Sequence, residues 1–312
     1  MTNDPKAAGS STASSALSRP VPEKKAKLSW IQKQLVQVCQ VGGIPEHVAF
    51  VMDGNRRYAR THNLRNVLVG HERGYETLIQ ALEICLEFGV KIVTVYAFSE
   101  ENFARPSHEV DGLMNLAAAK FKEFLDVEEV VMKEGVIVDM FGRAEILPPE
   151  VRRAAARVVV GTKNNEGRAR LNVCFAYSGT EEIATAMRTV GRGLAVGALR
   201  PQDVDFDLIS RCTYLGDLPA PDLLIRTSGE TRLSDFLLWH LRSTKMIFLD
   251  ALWPDLNFWH LLQSTLEWQV CDKKRGKAKI ERGHNARVEA FIQQVNEEKL
   301  ATWKRLAEEG KD

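Results

Sequence analysis

The stretch that most constrains this chain is His47-Val-Ala-Phe-Val-Met-Asp-Gly-Asn-Arg-Arg-Tyr-Ala-Arg-Thr61. Its first half is a short apolar run, rich in β-branched side chains and of the length of a buried strand. The run stops at Met52, and Asp53-Gly54-Asn55 follows, a set of residues suited to a sharp strand-to-helix elbow. Arg56 to Arg60 then read as the opening turn of a helix. Such an elbow gathers free backbone N–H groups, the positive end of a helix and two adjacent arginines where the strand ends. That combination suits an anion, and phosphate best. Asp53 would be repelled by phosphate unless a cation lay between them, and a hard divalent ion such as Mg²⁺ bridging a carboxylate and a diphosphate resolves the conflict. The competing reading is an ordinary βα turn with Asp as helix N-cap, which a lone Asp-Gly-Asn would favour.

The rest of the chain alternates buried strands with helices. Lys91 to Phe98, Gly135-VIVDMFG, Arg170-LNVCFAY, Asp222-LLIRT and Met246-IFLDA read as strands. Gly70 to Phe88, ended by Gly89, Pro148 to Asn164 and Thr180 to Val196 read as helices. Glu109 to Lys133 reads as one long helix with an unusually broad apolar arc. This alternation predicts a single α/β domain with a mostly parallel central sheet covered on both faces by helices. In such sheets ligands bind beyond the carboxyl ends of strands, where Asp53, Ser99 and Arg226 would emerge. No internal repeat is present, and neither a GxGxxG nor a GxxxxGK[ST] motif supports a nucleotide site.

Four divisions of the 312 residues follow. Residues 1–27 are rich in Ser, Ala, Pro and Lys and poor in large apolar groups, which predicts disorder. Residues 28–44 carry Leu28, Ile31, Leu35 and Val38 at helical spacing with Trp30 beside them, a helix that either packs on the core or meets a bilayer. Residues 45–270 form the α/β domain, and 271–312 a charged, partly helical tail. The apolar fraction of 45% is ample for a core, and a net charge of +1 gives no bulk attraction to nucleic acid. The 5 cysteines have no CxxC spacing and are odd in number, which argues for reduced thiols in a cytosolic setting. No run approaches the roughly 18 apolar residues of a membrane span, and the start lacks a signal-peptide core, so a soluble body is expected.

Two further segments carry chemistry. Arg226-Thr-Ser-Gly-Glu-Thr-Arg-Leu-Ser-Asp-Phe follows directly on a strand end, and a pair of guanidinium groups with a serine hydroxyl can clamp a diphosphate. Surface arginines paired with Glu230 and Asp235 are the alternative. Ser99-Glu-Glu-Asn-Phe-Ala-Arg-Pro106 reads as a polar loop after a strand, a common but not universal place for function. His71, one turn into its helix, is open to a structural or a binding role.

Taken together, MDGNRRYA with GHERGYETL after it, YAFSEENFARP, DLLIRTSGETRLSDFLLW and the Leu252-Trp253-Pro254 block resemble, in order, the signature of the cis-prenyltransferases, the Z-type polyprenyl diphosphate synthases. The resemblance spans about Pro45 to Trp268. Arg56 after Asn55 and the RTSGE form of the second block point to the eukaryotic, dolichol-pathway branch, makers of dehydrodolichyl diphosphate. It implies an undecaprenyl diphosphate synthase-like fold with an apolar tunnel, and sequential cis-condensation of isopentenyl diphosphate onto an allylic primer, farnesyl diphosphate. By the same resemblance Arg226, Arg232 and Ser234 hold isopentenyl diphosphate, while Gly54, Asn55, Arg56 and Arg57, with Tyr58 beside them, hold the primer diphosphate. His71 lies near that diphosphate, Ser99, Asn102 and Arg105 shape the reacting centre, and Phe103 packs on the isoprenoid. Asp53 is the Mg²⁺ ligand; Asn102 or a substrate phosphate oxygen is the proton acceptor. The tunnel wall is expected from the Glu109–Lys133 face with Val136, Val138 and Met140.

Two departures from the family pattern matter. Where bacterial members carry a metal-assisting glutamate after the LLW segment, this chain has Trp239-HLRSTKM with Lys245. The family's C-terminal Arg-x-Gly is also missing, with Arg275-Gly276 and Arg282-Gly283 in its neighbourhood. Asp272 to Gly283 holds six basic and two acidic residues, a composition of a solvated tail or membrane-surface patch. This resembles the catalytic subunits of two-subunit enzymes, whose partner is a catalytically degenerate homologue like the Nogo-B receptor. The implied location is peripheral, on the cytoplasmic face of the endoplasmic reticulum membrane or on lipid droplets, with no nucleic-acid partner. The dimer face is expected at Phe236, Leu237, Trp239 and Leu241. A noncatalytic scaffold of the same fold and a phosphate- or phospholipid-binding protein are the alternatives, but the scaffold homologues lose the Asp-Gly-Asn aspartate or the paired arginines, which are present here.

Overall fold

The computed structural model describes residues 28–125, 130–167, 169–272 and 285–309. The expected disordered segment before Leu28 and the Arg275-Gly276 and Arg282-Gly283 pairs lie outside the described residues. Six strands, β1 (His47–Val51), β2 (Ile92–Ser99), β3 (Val136–Phe141), β4 (Ala169–Tyr177), β5 (Leu223–Arg226) and β6 (Lys245–Phe248), form one sheet in the order β3-β4-β2-β1-β5-β6. Every pairing in it is parallel. The strand β1 is central: the chain passes from it to β2 on one side and later crosses from β4 to β5 on its other side, so a crevice opens above its carboxyl end.

Side chains alternate between two cores. Val48, Phe50, Val93, Val95, Leu171, Val173, Leu223 and Ile225 face the larger one. This core is covered by α1 (Trp30–Val41), α3 (Val67–Phe88), α4 (Ser107–Glu123), α6 (Pro149–Thr162) and α9 (Phe258–Asp272). Ala49, Val51, Cys174 and Leu224 face a smaller one closed by Phe236, Leu237 and Leu241. Five consecutive buried residues in β1 explain why that strand reads as a continuous apolar run. Burying each such Val or Phe stabilises by about 1.5–3 kcal/mol, which fixes the frame from which the polar elbow projects. His47 is an exception inside the second face: its ring meets the Thr94 hydroxyl and the Pro219 carbonyl, both at 2.7 Å, and burial pushes its pKa down to about 4.

Three expectations are corrected. The helix foreseen over Glu109–Lys133 is two pieces, α4 ending at Glu123 and a short α5 (Val130–Lys133). Lys120 and Lys122 suit the negative end of a helix, which is capped at Phe124. At α1, opened by a Ser29–Gln32 capping box, Leu28 before the helix and Val36 and Cys39 within it turn inward, while the expected apolar positions Ile31 and Val38, with Trp30 and Val41, are exposed. The expected dimer-face residues Phe236, Leu237 and Leu241 are buried in the chain's own second core, and Trp239 stacks on Phe206 at 4.9 Å. Left-handed backbone at Ser234, Asp235 and Leu237 turns that segment inward; Leu238, Met246 and Phe248 remain exposed.

The charged end of the chain is a docked helix, α10 (Ala286–Glu308), capped by Asn285. Its Val288, Phe291, Ile292 and Val295 pack with Ala186 and Val190 of α7 (Gly179–Ala195) and Leu208 and Cys212 of α8 (Phe206–Cys212). Leu306 and Ala307 pack on Ala156 of α6. No helix among the described residues is long and apolar enough to cross a membrane.

Candidate active site

The elbow after β1 turns because Gly54 adopts φ 110°, which opens α2 (Asn55–Thr61) at once. A side chain at Gly54 would also press on Leu252, its Cβ coming to 3.0 Å. The Asp53 carboxylate accepts from the Gly54 N–H at 2.8 Å and from Arg226 Nη2 at 2.9 Å. Its backbone carbonyl is held by the Thr227 hydroxyl at 2.7 Å and the Trp253 N–H at 3.0 Å. Thus the ends of β1 and β5 and the Leu252-Trp253-Pro254 block meet at one residue. On the far side α3 presses against the start of α2, and a Cβ on Gly74 would lie 2.3 Å from Asn55 Oδ1. The second glycine of Gly-His-Glu-Arg-Gly exists for that approach.

The segment after β5 supplies cations. Arg226 is buried; its Nη1 donates to the Ser234 hydroxyl at 3.0 Å and to the Arg232 carbonyl. Arg57 donates to the Ser228 carbonyl at 2.8 Å and to Glu230 at 3.1 Å, and Arg232 pairs with the same Glu230. Arg232, then Arg57, hold that carboxyl below the usual carboxylate range. Glu230 is therefore an internal counter-ion shared by two arginines, one that a phosphate would compete with.

Several polar atoms here are shielded from solvent and lack a partner: Arg226 Nε, Asn55 Oδ1, His71 Nε2 and the Ser228 hydroxyl. Native proteins leave few such groups, and a cluster of them marks a place where a ligand completes the bonding. The His71 pKa is pushed down to about 4 by burial first, then by Arg105 and Arg56. It is a neutral ring among cations at neutral pH, able to donate or accept one hydrogen bond. Ser99 and Asn102 cap the 3₁₀ turn Glu100–Ala104 reciprocally, and Arg105 pairs with Glu109 at 3.1 Å.

A cavity of about 560 Å³ joins these groups. Asp53, Gly54, Asn55, Arg56, Arg57, His71, Ser99, Asn102, Arg105, Arg226, Arg232 and Ser234, all foreseen from the sequence, line it. Two foreseen residues do not. Tyr58 stacks on His62 one turn on, at 4.1 Å, and Phe103 packs edge-on to Phe98 at 5.0 Å. The apolar wall comes from Leu113, Leu116, Ala117 and Phe121 of α4 with Phe124 just after it, Tyr75 and Leu78 of α3, and Phe98, Val173 and Phe175 of the sheet. Val138 and Met140 are instead in the core, because β3 lies at the sheet edge beyond β4 and α6 covers it. Val136 borders a separate void of about 10 Å³. Arg60, Tyr96, Lys120 and Trp253 also line the cavity and were not foreseen in that role. For Arg60 a signal existed, since it follows Arg56 by one helical turn; for Tyr96 none did, because its position depends on a register shift after it in β2.

Among the described residues no three His, Cys, Asp or Glu side chains converge as a metal cage. The donor set still suits Mg²⁺, which commonly takes one or two carboxylates, keeps several waters and draws its other ligands from substrate phosphates. Asp53 is half-exposed to the cavity and each of its oxygens retains acceptor capacity. Lys245 starts β6 opposite Leu223, at the other end of the strands from Arg226, so it stands away from this cluster.

Residues 51–276 match the prenyltransferase family described as "Putative undecaprenyl diphosphate synthase". The chain is 42% identical over 247 residues to the dehydrodolichyl diphosphate synthase complex subunit DHDDS of Homo sapiens, covering 79% of this chain and 74% of that one. It is 40% identical over 246 residues to a geranylgeranyl-diphosphate-specific tritrans,polycis-undecaprenyl-diphosphate synthase of Methanopyrus kandleri, covering 79% and 90%. Among solved structures it is similar to lavandulyl diphosphate synthase from Lavandula x intermedia in complex with dimethylallyl diphosphate. That likeness has a TM-score of 0.67 and 32% identity, over 72% of this chain and 95% of the other.

Proposed function

This chain belongs to the cis-prenyltransferases, the family of the undecaprenyl diphosphate synthases, and we propose that it condenses isopentenyl diphosphate repeatedly onto farnesyl diphosphate to build a dehydrodolichyl-type polyprenyl diphosphate for dolichol synthesis. It is a prenyl-transferring enzyme by that membership. The observation that carries the reading is one cavity with two contrasting ends. At one end stand Asp53, Arg57, Arg226 and Arg232 with buried, unpartnered polar atoms; at the other stand Leu78, Phe121, Phe124 and Phe175.

The chemistry asks an allylic C–O bond to ionise. In this reading the N–H groups at the start of α2, with Arg56, Arg57 and His71, bind the primer diphosphate and stabilise the charge that develops on it. Arg226, Arg232 and Ser234 bind the diphosphate of isopentenyl diphosphate and present its double bond to the allylic carbon. Mg²⁺, held by Asp53, would neutralise phosphate charge when bound. The aromatic wall keeps water from a carbocation-like centre. Asn102 lines the same cavity, and in this reading it orients a substrate phosphate oxygen that takes the proton.

Two finer readings have support. Relatives named as subunits of a complex, together with exposed Phe206, Leu238, Met246 and Phe248 beside the edge strand β6, support a homologous partner subunit. Exposed Trp30, Ile31, Val38 and Val41 on α1, and Trp259, Leu266 and Val270 on the adjoining α9, support peripheral contact with the endoplasmic reticulum membrane. The test is incorporation of radiolabelled isopentenyl diphosphate into extractable polyprenyl product, with farnesyl diphosphate and Mg²⁺, with and without the homologous subunit. Steep activation by the subunit is expected. Vesicle binding without any incorporation in either condition overturns the enzymatic reading, and full activity alone overturns the heteromer.

A further inference from the structure

Ser234 and Asp235 have φ of 51° and 59°, and Leu237 has φ 49°, so three of four consecutive residues that are not glycine lie in the left-handed region. Residues of this kind relax to negative φ unless their surroundings hold them. Two sets of bonds do so here. On the α7 side, the Asp235 carboxylate accepts from the Thr180 N–H at 3.1 Å, the Thr180 hydroxyl at 3.0 Å and the Ser178 hydroxyl at 2.5 Å. On the sheet side the support comes from Tyr96. Its phenol donates to the Ser234 carbonyl at 3.1 Å, with the Tyr177 carbonyl as a second acceptor at 3.3 Å. Its ring stacks on Phe236 at 4.6 Å and 13°.

We propose that Tyr96 is a positioning residue for the chain-extending substrate: by holding the Ser234 carbonyl it keeps the Ser234 hydroxyl beside Arg226 Nη1 and turned to the cavity. The proposal rests on the allocation of Arg226, Arg232 and Ser234 to isopentenyl diphosphate made above. Rotation of Ser234 out of its left-handed state would carry its hydroxyl away from the guanidinium. Burial raises the phenol well above its ordinary pKa, so it stays a donor throughout the working range.

Tyr96→Phe deletes the O–H and retains the ring stack. In the full chain with its homologous subunit it should raise KM for isopentenyl diphosphate by roughly tenfold, the worth of one well-placed hydrogen bond. KM for farnesyl diphosphate, kcat and Tm should stay near the parent values. In a Ser234→Ala background the same substitution should have little further effect, since residues acting through one another are not additive. Equal shifts in both KM values, a fall in Tm that accounts for the loss, or an undiminished effect in the Ser234→Ala background overturns the proposal. If Ser234→Ala alone leaves KM for isopentenyl diphosphate unchanged, the substrate allocation itself fails and the proposal falls with it. If Ser234→Ala raises that KM and Tyr96→Phe does not, Tyr96 alone is excluded.

Discussion

Arg226, Arg57 and Arg56 at the carboxyl end of the sheet differ from Arg211, Arg287 and Arg152 along the C-terminal helix in what they are bonded to. Arg211 donates to Asp217 at 2.7 Å and through both Nη atoms to Glu289 at 2.7 and 2.8 Å. Arg287 grips Asp203 at 2.8 and 2.9 Å, and Arg152 grips Glu309 at 3.0 and 2.7 Å. At the sheet end Arg226 keeps a buried Nε without a partner, and Arg56 reaches Glu109 only at 3.9 Å. The contrast separates two uses of one residue type. Guanidinium groups that each grip one carboxylate through two N–H bonds fasten α10 to the body. Those that share a counter-ion, hold one only loosely or keep a buried N–H without a partner, in a cavity beside neutral His71 and a strained backbone, are poised for an anion that is not part of the chain.

The contrast is tested most severely at Asp53. Asp53→Ala should reduce isopentenyl diphosphate incorporation by on the order of a hundredfold or more, because it removes both the proposed metal ligand and the partner of Arg226 Nη2. Tm should move less than turnover does, since the bonds that tie Asp53 to Thr227 and Trp253 run through its backbone carbonyl and survive the substitution. Near-normal turnover with Mg²⁺ still required would break the view of this end as a metal-diphosphate site.

Next in size is the division between the two phosphate groups. Arg232→Ala should raise KM for isopentenyl diphosphate by roughly tenfold to a hundredfold and KM for the primer much less, as expected for one charge-assisted contact. Arg57→Ala should do the reverse. Glu230 complicates the comparison in an instructive way, because it is bonded to both arginines and each substitution hands it to the other. Equal effects of both substitutions on one substrate would mean a single shared anion site.

How much of this was legible in the sequence follows from the range of the interactions. The elbow at Asp53-Gly54-Asn55 and the arginines after β5 could be read because each follows directly on an apolar strand, and parallel strands deliver their carboxyl ends to one crevice. The tunnel wall was half legible: the apolar arc of α4 was visible, but which strand faces it depends on sheet order, and β4 and β2 took the place expected of β3. Tyr96 and the inward turn of Phe236 and Leu237 depend on bonds between residues up to 138 apart, and no local periodicity encodes them. The docking of α10 was hidden by its charge. Its Arg and Glu residues look solvated in sequence, and their partners Asp203, Arg211 and Arg152 lie on three separate earlier segments.

The smallest expected effect sharpens the other half of the comparison. Arg211 is 7% exposed in its side chain, whereas Asp217 and Glu289 are 44% and 47% exposed. If this arginine only fastens α8 to α10, Arg211→Met should lower stability and leave the reaction unchanged. The loss is limited by the exposure of the two carboxylates, which water can take up once the guanidinium is gone, and by the fit of a methionine stem into the same space. About 2 kcal/mol is the expected scale, between an exposed pair and a fully buried one. For a domain of this size that is roughly 4–8 °C in Tm by calorimetry. KM for both substrates should be unaltered, since α8 and α10 pack with α7 in a cluster separate from the cavity wall. A fall in Tm without a change in KM, set beside Asp53→Ala with its opposite pattern, would establish that the two groups of arginines are energetically independent. A raised KM for isopentenyl diphosphate in Arg211→Met would show instead that the fastening of α10 reaches the Ser234 segment through α7, whose amino end Asp235 caps.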